Sequence, residues 1–334
     1  MGLGGFRSQE TRERAHFINK FNRTREDSMG LTRRDLVKLS LGMASATALR
    51  PFPKLFAQSA VITKPIPSSG ERIPVIGVGT RDYASDPPEL RAELKELLRR
   101  LPKLGGSVID TATGYQRGES ETVIGNLVSE LGNRDRLFFA TKVNAAGKQE
   151  GLSQIEQSFR RLRTDRIDLH AVHNLRDTGT QLQTLREMKQ AGRIRYVGIT
   201  TSSARQYQDF ESVMRRQELD FIQVDYALDN RESEVRILPL AADRGMAVMV
   251  NMPFGYGRLF PKVKNVPLPD WAEQFDAKSW AQFFLKYVVS HPAVTCAIPG
   301  MRRVPHLLDN IQAAQGQLPD AAMRRRMKQY FDKL

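Results

Sequence analysis

Residues 109–125 read I-D-T-A-T-G-Y-Q-R-G-E-S-E-T-V-I-G, and this stretch carries the strongest indication of the fold. Asp110 closes a short apolar run that begins at Ser107, and Tyr115 follows in a loop of small residues. The segment after Tyr115 has helical spacing. A strand, a polar loop and a helix in this order form the repeating unit of an α/β protein.

Two more polar side chains end apolar runs further along the chain. Lys142 follows residues 137–141 (L-F-F-A-T), and His173 follows residues 167–172 (I-D-L-H-A-V). In a parallel barrel the carboxyl ends of the strands meet on one face, where active sites lie. The sequence therefore predicts that Asp110, Tyr115, Lys142 and His173 converge on one site.

Strand-like and helix-like segments alternate from Val61 onward. The predicted strands span residues 75–79, 107–110, 137–143, 167–173, 196–200, 221–226, 247–252 and 294–299. Eight apolar strands that alternate with helices predict a closed parallel (β/α)8 TIM barrel, a fold of about 250 residues. We expect residues 61–334 to form this barrel.

Residues 1–60 are expected to form a disordered N-terminal leader. Residues 1–28 are polar and mixed in charge, and residues 32–38 (T-R-R-D-L-V-K) resemble a twin-arginine export signal. The apolar residues 39–49 are too few to span a bilayer and lie where a cleaved leader has them. We expect a periplasmic or otherwise exported protein, with the twin-arginine export machinery as a partner and no stable membrane span.

Two alternatives remain open for this leader. An ordinary basic turn before a short helix would leave the protein in the cytoplasm, and Met29 is an alternative start of the chain. The sequence does not decide the site of cleavage.

The net charge of +14 invites a nucleic-acid interpretation, but its distribution argues against one. Residues 1–60 hold +6 of it, and the rest is spread without a long basic run. No basic patch interleaved with aromatic residues is present. Cys296 is the only cysteine, which excludes an intrachain disulfide and a cysteine-based metal cluster.

The order and separations of the motifs I-D-T-A-T-G-Y, F-F-A-T-K and I-D-L-H-A-V-H resemble the catalytic tetrad of the aldo-keto reductase family. The resemblance implies a TIM barrel that reduces small aldehydes or ketones to alcohols with NAD(P)H. Tyr115 is then the expected general acid, whose proton loss is eased by the charge of Lys142. Asp110 would hold Lys142, and His173 would orient the substrate carbonyl.

The spacing H-x-x-H leaves His170 as a competitor for the role of His173. Because side chains alternate along a strand, residues three apart lie on opposite faces. We expect His173 on the inner face and His170 toward the helices. A metal site is not expected, because no third ligand is nearby in sequence.

The resemblance also implies a cofactor site along the later strand ends. The expected nicotinamide-side residues are Gly79, Thr80, Thr200, Thr201, Gln223 and Asn251. Thr200 and Thr201 stand where the family commonly has Ser-Asn, and Asn251 where an aromatic residue usually stacks on the nicotinamide. Loss of that face contact would weaken cofactor binding by about 1 kcal/mol.

The segment I-P-G-M-R-R at residues 298–303 matches the part of the family that holds the adenosine end of the cofactor. The expected contacts there are Gly300, Met301, Arg302, His306, Asp309 and Asn310. Arg302 or Arg303 would pair with a 2′-phosphate, a geometry that suits arginine, so we expect NADPH, with NADH possible. The long irregular stretch 255–274 is expected to fold over the cofactor.

Two other classes of protein share features with this sequence. Short-chain reductases place Tyr-x-x-x-Lys on one helix, and no tyrosine here has a lysine four residues later. A non-catalytic relative that binds the nucleotide and regulates a partner is the second alternative, because Thr200, Thr201 and Asn251 depart from the family pattern.

Overall fold

A closed parallel barrel forms the centre of the computed structural model, which describes residues 60–334. The predicted leader, including the twin-arginine stretch, lies outside the described residues. Eight strands pair in parallel in chain order. Bridges from Ile76 to Ala297 and from Gly79 to Gly300 join the first strand of the barrel to the last. The prediction of a (β/α)8 barrel is confirmed.

The strands are short and buried. Outside the barrel lie β1 (Thr63–Pro65) and β2 (Arg72–Pro74). The barrel comprises β3 (Val78–Gly79), β4 (Val108–Asp110), β5 (Phe138–Val143), β6 (Ile167–Val172), β7 (Ile194–Thr200), β8 (Phe221–Asp225), β9 (Ala247–Asn251) and β10 (Val294–Ala297). Strands covered on both faces read as continuous apolar runs, as these do.

Helices follow the strands and cover the barrel. They are α1 (Pro88–Arg100), α2 (Glu119–Leu131), α3 (Lys148–Leu162), α4 (Thr178–Gln190), α5 (Tyr207–Arg216), α6 (Ile237–Asp243), α7 (Leu259–Val263), α8 (Trp280–Val289), α9 (Val304–Gln312) and α10 (Ala321–Phe331). In α1, Leu94, Leu97 and Leu98 are buried at helical spacing. None of the helices among residues 60–334 is long and apolar enough to cross a bilayer.

The interior of the barrel is a packed apolar cluster separate from the layer between strands and helices. Phe138, Tyr196 and Phe221 lie with ring centroids 5.5 to 6.1 Å apart. Cys296 belongs to the same cluster and is fully buried. Inward side chains of this kind make a barrel centre a core and not a pore.

The hairpin of β1 and β2 was not predicted from the sequence. Ile66 and Ile73 of this hairpin join the interior cluster. Lys64 anchors the hairpin, because its Nζ donates to the backbone oxygens of Val289 (2.8 Å), His291 (2.9 Å) and Val294 (2.7 Å). The hairpin therefore closes the end of the barrel opposite the carboxyl ends of the strands.

The stretch after β9 is more ordered than its sequence indicates. It contains short 3-10 turns, Gly255–Gly257 and Asp270–Phe275, on either side of α7. Trp271 packs against Phe283 and Tyr330, with centroids 5.6 Å apart in both pairs. The C-terminal helix α10 thus fixes the far end of this stretch.

Candidate active site

A buried ion pair links β4 and β5 at their carboxyl ends. Asp110 is the last residue of β4, and Lys142 lies near the end of the neighbouring β5. Lys142 Nζ donates to Asp110 Oδ1 (2.9 Å) and Oδ2 (2.8 Å) and to the backbone oxygen of Thr111 (2.6 Å). The register of the two parallel strands and the alternation of side chains place both inside the barrel.

The charge of this pair depends on its surroundings. Burial disfavours the ammonium of Lys142, but the nearby Asp110 and Tyr115 outweigh that effect and raise the pKa of Lys142. Breaking a buried pair by removing one partner typically costs about 3–5 kcal/mol, because the other charge is left uncompensated. Lys142 is therefore a fixed cation in the site.

Gln223 completes the set of donors around Asp110. Its Nε2 donates to Asp110 Oδ1 at 2.9 Å and lies 3.4 Å from Met249 Sδ. The sequence predicted a cofactor contact for Gln223. In the structure its amide nitrogen holds the carboxylate that holds Lys142, and the cofactor contact stays a prediction.

Tyr115 lies in the turn Tyr115–Gly118 that follows β4. The ammonium of Lys142 is 5.1 Å from the centroid of its ring, and the ring of His173 is 6.2 Å away. Burial raises the pKa of the Tyr115 phenol, and the charge of Lys142 opposes that rise. The phenol is thus protonated at neutral pH, next to a cation that stabilises its conjugate base.

His173 begins a 3-10 turn directly after β6. Burial, and then the charge of Lys142, lower the pKa of His173 to about 4, so the imidazole is neutral at physiological pH. Its Nδ1 is buried and has no hydrogen-bond partner among the described residues. A neutral imidazole keeps one N–H donor and one acceptor nitrogen.

His170 lies on the other face of β6. It is in register with Thr141, whose hydroxyl donates to Glu121 on the covering helix α2. Burial lowers the pKa of His170 to about 3. Within residues 60–334 no group of three or more His, Cys, Asp or Glu side chains is placed to hold a metal ion.

Gly79 and Thr80 support the site through backbone contacts. Gly79 N donates to Pro299 O at 2.9 Å, and a Cβ on Gly79 would lie 2.7 Å from the oxygen of Ile298. The Thr80 hydroxyl donates to Asp110 O (2.9 Å) and lies 3.1 Å from Ser120 Oγ. These contacts hold the end of β4, and the cofactor contact of Thr80 stays a prediction.

Thr200, Thr201 and Asn251 lie at the ends of β7 and β9. The Thr201 hydroxyl is 2.8 Å from Gln206 Oε1, and its backbone oxygen accepts from Asn251 Nδ2 at 3.0 Å. Asn251 Oδ1 is buried without a partner among the described residues. The amide oxygen of Asn251 is thus left without a hydrogen-bond partner among the described residues, whereas the Thr201 hydroxyl is hydrogen-bonded to Gln206.

The segment after β10 leads into α9. Met301 is buried, whereas Arg302 and His306 are exposed and Asn310 is buried in α9. A Cβ on Gly300 would meet open space. Arg302 and His306 are therefore accessible to a ligand from solvent, whereas Met301 and Asn310 are not. Arg302 stands just before the N-terminus of α9.

Asp309, a predicted cofactor contact, is hydrogen-bonded within the protein. Its carboxylate accepts from Ser279 Oγ (3.0 and 2.9 Å) and from Gln282 Nε2 (2.6 Å) at the start of α8. These contacts satisfy its oxygens within the protein. Asp309 therefore joins two helices, and its cofactor contact stays a prediction.

Sequence reasoning missed two residues at the mouth of the site. The guanidinium of Arg81 lies 5.3 Å from the ring centroid of Tyr256, which connects the loop after β3 to the stretch after β9. The Tyr256 ring is largely exposed. No local pattern marks either residue, because the contact joins loops far apart in the chain.

The fold and the site together define an α/β barrel with a buried proton-transfer centre at the carboxyl ends of its strands. The sequence model described as "Aldo/keto reductase family" matches residues 75–328. The chain belongs to the aldo/keto reductase family, a family of oxidoreductases.

Individual relatives agree with this assignment. The chain is 29% identical over 274 residues to methylglyoxal reductase YeaE of Escherichia coli, covering 80% of this chain and 95% of that protein. It is 26% identical over 206 residues to an Escherichia coli NADH-specific methylglyoxal reductase, covering 54% of this chain and 61% of that protein. A Klebsiella pneumoniae aldo/keto reductase solved with NADP and acetate aligns with a TM-score of 0.67 and 26% identity, covering 78% of this chain and 93% of that one.

Proposed function

We propose that this protein reduces small aldehydes or ketones to alcohols, with a nicotinamide nucleotide as hydride donor and Tyr115 as general acid. The observation that supports this most directly is the position of Lys142. Its ammonium contacts the carboxylate of Asp110 and lies 5.1 Å from the centroid of the Tyr115 ring. A phenol beside a fixed cation can give up a proton more readily than one in an apolar site.

The residues present fit a nicotinamide nucleotide. Asn251 Oδ1 is a buried acceptor without a partner among the described residues, which suits the amide of a carboxamide. Arg302 is an exposed cation before a helix N-terminus, an arrangement that suits a phosphate. Gly300 leaves space beside it. The residues that would hold the nucleotide are those predicted from the sequence: Gly79, Thr80, Thr200, Thr201, Gln223, Asn251, Gly300, Met301, Arg302, His306, Asp309 and Asn310.

The proton route follows from the hydrogen-bond network. The bound nucleotide supplies the hydride to the carbonyl carbon. Tyr115 donates its proton to the carbonyl oxygen, and its phenolate is stabilised by Lys142 until solvent restores the proton. Gln223 and Asp110 keep Lys142 in place, and His173, neutral because burial and Lys142 lower its pKa, directs an N–H toward the carbonyl oxygen.

Small dicarbonyls are the substrates we propose to test first. The Escherichia coli relative that covers most of this chain is a methylglyoxal reductase. The test follows NADPH oxidation at 340 nm with methylglyoxal and simple aldehydes. We expect turnover by the native protein and a loss of at least about 100-fold in Tyr115→Phe, because general acid catalysis contributes at least that factor. Nucleotide binding, measured by fluorescence, should be unchanged in Tyr115→Phe, and equal turnover by both proteins would rule out the role of Tyr115.

We propose NADPH as the preferred cofactor, with NADH as the second. In Arg302→Ala the Kd for NADPH should rise about tenfold while that for NADH stays constant, because only NADPH carries a 2′-phosphate. Arg303→Ala is measured beside it, because Arg303 is the other arginine predicted to pair with a 2′-phosphate, and the comparison shows which of the two makes the contact. Equal losses for both nucleotides would contradict a 2′-phosphate contact.

A non-catalytic nucleotide sensor is the second candidate function. It is favoured by the polar Asn251 where relatives stack an aromatic residue and by the engaged hydroxyl of Thr201. Binding of NADPH without turnover across a broad carbonyl panel would support the sensor. In that case neither the native protein nor Tyr115→Phe would show turnover.

We also propose that residues 1–60 direct export by the twin-arginine route to the periplasm, where the barrel of residues 61–334 would work. This proposal is supported by the Arg-Arg pair at Arg33 and Arg34 and the short apolar stretch that follows. Fractionation of cells that express the native chain and Arg33→Lys/Arg34→Lys tests it. Retention of the double variant in the cytoplasm is expected, and equal distribution of both proteins would refute it.

A further inference from the structure

A buried carboxylate lies on the outer side of the barrel, behind the candidate active site. Glu121 of α2 is fully buried, and its Oε1 accepts from the Thr141 hydroxyl at 2.7 Å. Arg161 of α3 places its NH1 3.4 Å from Glu121 Oε2. A carboxylate is kept in such a place only when partners compensate its lost hydration.

Glu121 contacts the strand that carries Lys142. Thr141 directly precedes Lys142 in β5, and successive side chains of a strand point to opposite faces. Lys142 therefore points into the barrel while Thr141 points out toward Glu121. A hydrogen bond to Thr141 fixes the same piece of backbone that presents the ammonium.

Arg161 contacts the loop that carries Tyr115. Its NH1 lies 3.3 Å from Thr113 Oγ1 and 3.5 Å from Thr113 O, two residues before Tyr115. The guanidinium also packs against Gly118, where a Cβ would overlap it. Arg161 thus contacts the loop on both sides of the phenol.

The loop needs such support, because its backbone is strained. Gln116, Arg117 and Gly118 follow Tyr115 with φ values of 49°, 56° and 93°. The left-handed region costs about 1 kcal/mol or more for a residue with a side chain and persists only where its surroundings enforce it. Arg161 contacts this loop and also reaches the Lys142 strand through Glu121.

We propose that the Glu121–Arg161 pair is a positioning device that sets the Tyr115 phenol against the Lys142 ammonium from outside the barrel. The proposal rests on the proposed function, in which the two side chains act together. Neither Glu121 nor Arg161 belongs to the predicted cofactor or substrate contacts. Their loss should therefore act on proton transfer and leave nucleotide binding in place.

The test compares Glu121→Gln with Glu211→Gln in the full chain. Glu211 is the matched control, because it is also buried and bonded to arginines, Arg215 and Arg236, but lies on α5 away from the Tyr115 loop. We expect kcat with methylglyoxal to fall at least about tenfold in Glu121→Gln, while Kd for NADPH changes less than about twofold. Glu211→Gln should retain the native kcat.

A second readout does not require turnover. In protein labelled with 13C at the tyrosine ring, the Tyr115 resonance is assigned by its absence in Tyr115→Phe. We expect this resonance to move in Glu121→Gln and to stay in Glu211→Gln. If Glu121→Gln fails to fold, Arg161→Gln and Arg161→Lys test the same loop. Arg161→Gln should lower kcat, and Arg161→Lys, which keeps the charge, should retain part of the kcat that Arg161→Gln loses.

The two readouts separate the possible failures. If the native protein turns over no carbonyl but the resonance moves, the proposed function fails and the positioning role stands. If the native protein is active and Glu121→Gln keeps its kcat and its Tyr115 resonance, the positioning role is overturned. An equal fall of kcat in Glu211→Gln would also overturn it, because the effect would then be a general loss of stability.

Discussion

Three groups of the candidate active site lie around the ammonium of Lys142. Asp110 and the backbone oxygen of Thr111 both accept from its Nζ, and the Tyr115 ring lies beyond. The sequence could predict that Asp110, Lys142 and Tyr115 meet. Asp110 and Lys142 lie at the ends of neighbouring strands, Tyr115 lies in the loop after the first of them, and the ends of parallel strands converge. The sequence could not predict the partners of Thr80 and Asp309, which come from other loops and helices.

At the residue scale, the pKa of His173 has a consequence for the pH profile. Burial and Lys142 lower this pKa to about 4, against about 6.5 for an ordinary histidine. If His173 donates its N–H as a neutral imidazole, kcat/KM for carbonyl reduction should show no break near pH 6.5 and should decline only toward pH 4. Initial rates between pH 5 and pH 8, with circular dichroism to confirm folding, check this. A break near pH 6.5 that disappears in His173→Gln would contradict it.

At the scale of elements, β3 meets the segment after β10 at the point where the barrel closes. Gly79 makes this contact through its backbone, and a Cβ there would lie 2.7 Å from the oxygen of Ile298. Gly79→Ala should lower the free energy of unfolding by about 1–3 kcal/mol, because backbone atoms cannot yield as a side chain does. Urea denaturation measures the change.

Gly300→Ala is the control for Gly79→Ala. It lies in the same closing segment, but its Cβ would meet open space. Its free energy of unfolding should match that of the native protein. If both variants unfold alike, the close approach at Gly79 does not matter for stability.

Elements with strong apolar runs were predictable, and those defined by tertiary contacts were not. The six strands from β4 to β9 fall within about two residues of the predicted ranges, because each buries both faces. In contrast, β1 and β2 have only three residues each, and the hairpin is held by Lys64 and by Ile66 and Ile73 inside the barrel. Helix α1 begins at Pro88 with Pro87 as its N-cap, although Asp86 had the better capping side chain.

At the scale of the whole molecule, buried histidines make the fold sensitive to acid. The pKa values of His170 and His173 are lowered by burial to about 3 and about 4. Below pH 6.5 these two histidines bind protons in the unfolded chain but stay neutral in the folded chain. The free energy of unfolding therefore falls as the pH falls. Each group costs about 1.4 kcal/mol per pH unit, or about 4 kcal/mol for both at pH 5.

Urea denaturation at pH 7, 6 and 5 measures this loss. His170→Leu removes the buried histidine on the outer face of β6 and should reduce the loss of stability at pH 5 by about 2 kcal/mol, the share of one group. Replacement of the exposed His306 by Leu provides the comparison and should leave the dependence unchanged. A native pH dependence that persists in His170→Leu would show that other groups control acid unfolding.

The single thiol of the chain lies inside the barrel at Cys296, where burial raises its pKa. Alkylating reagents attack the thiolate, so they meet a shielded and protonated sulfur as long as the strands stay together. Modification then occurs only when the barrel opens, and its rate counts those openings. Alkylation of Cys296, followed by mass spectrometry, therefore measures how often the native barrel opens, with no label introduced into the protein beforehand.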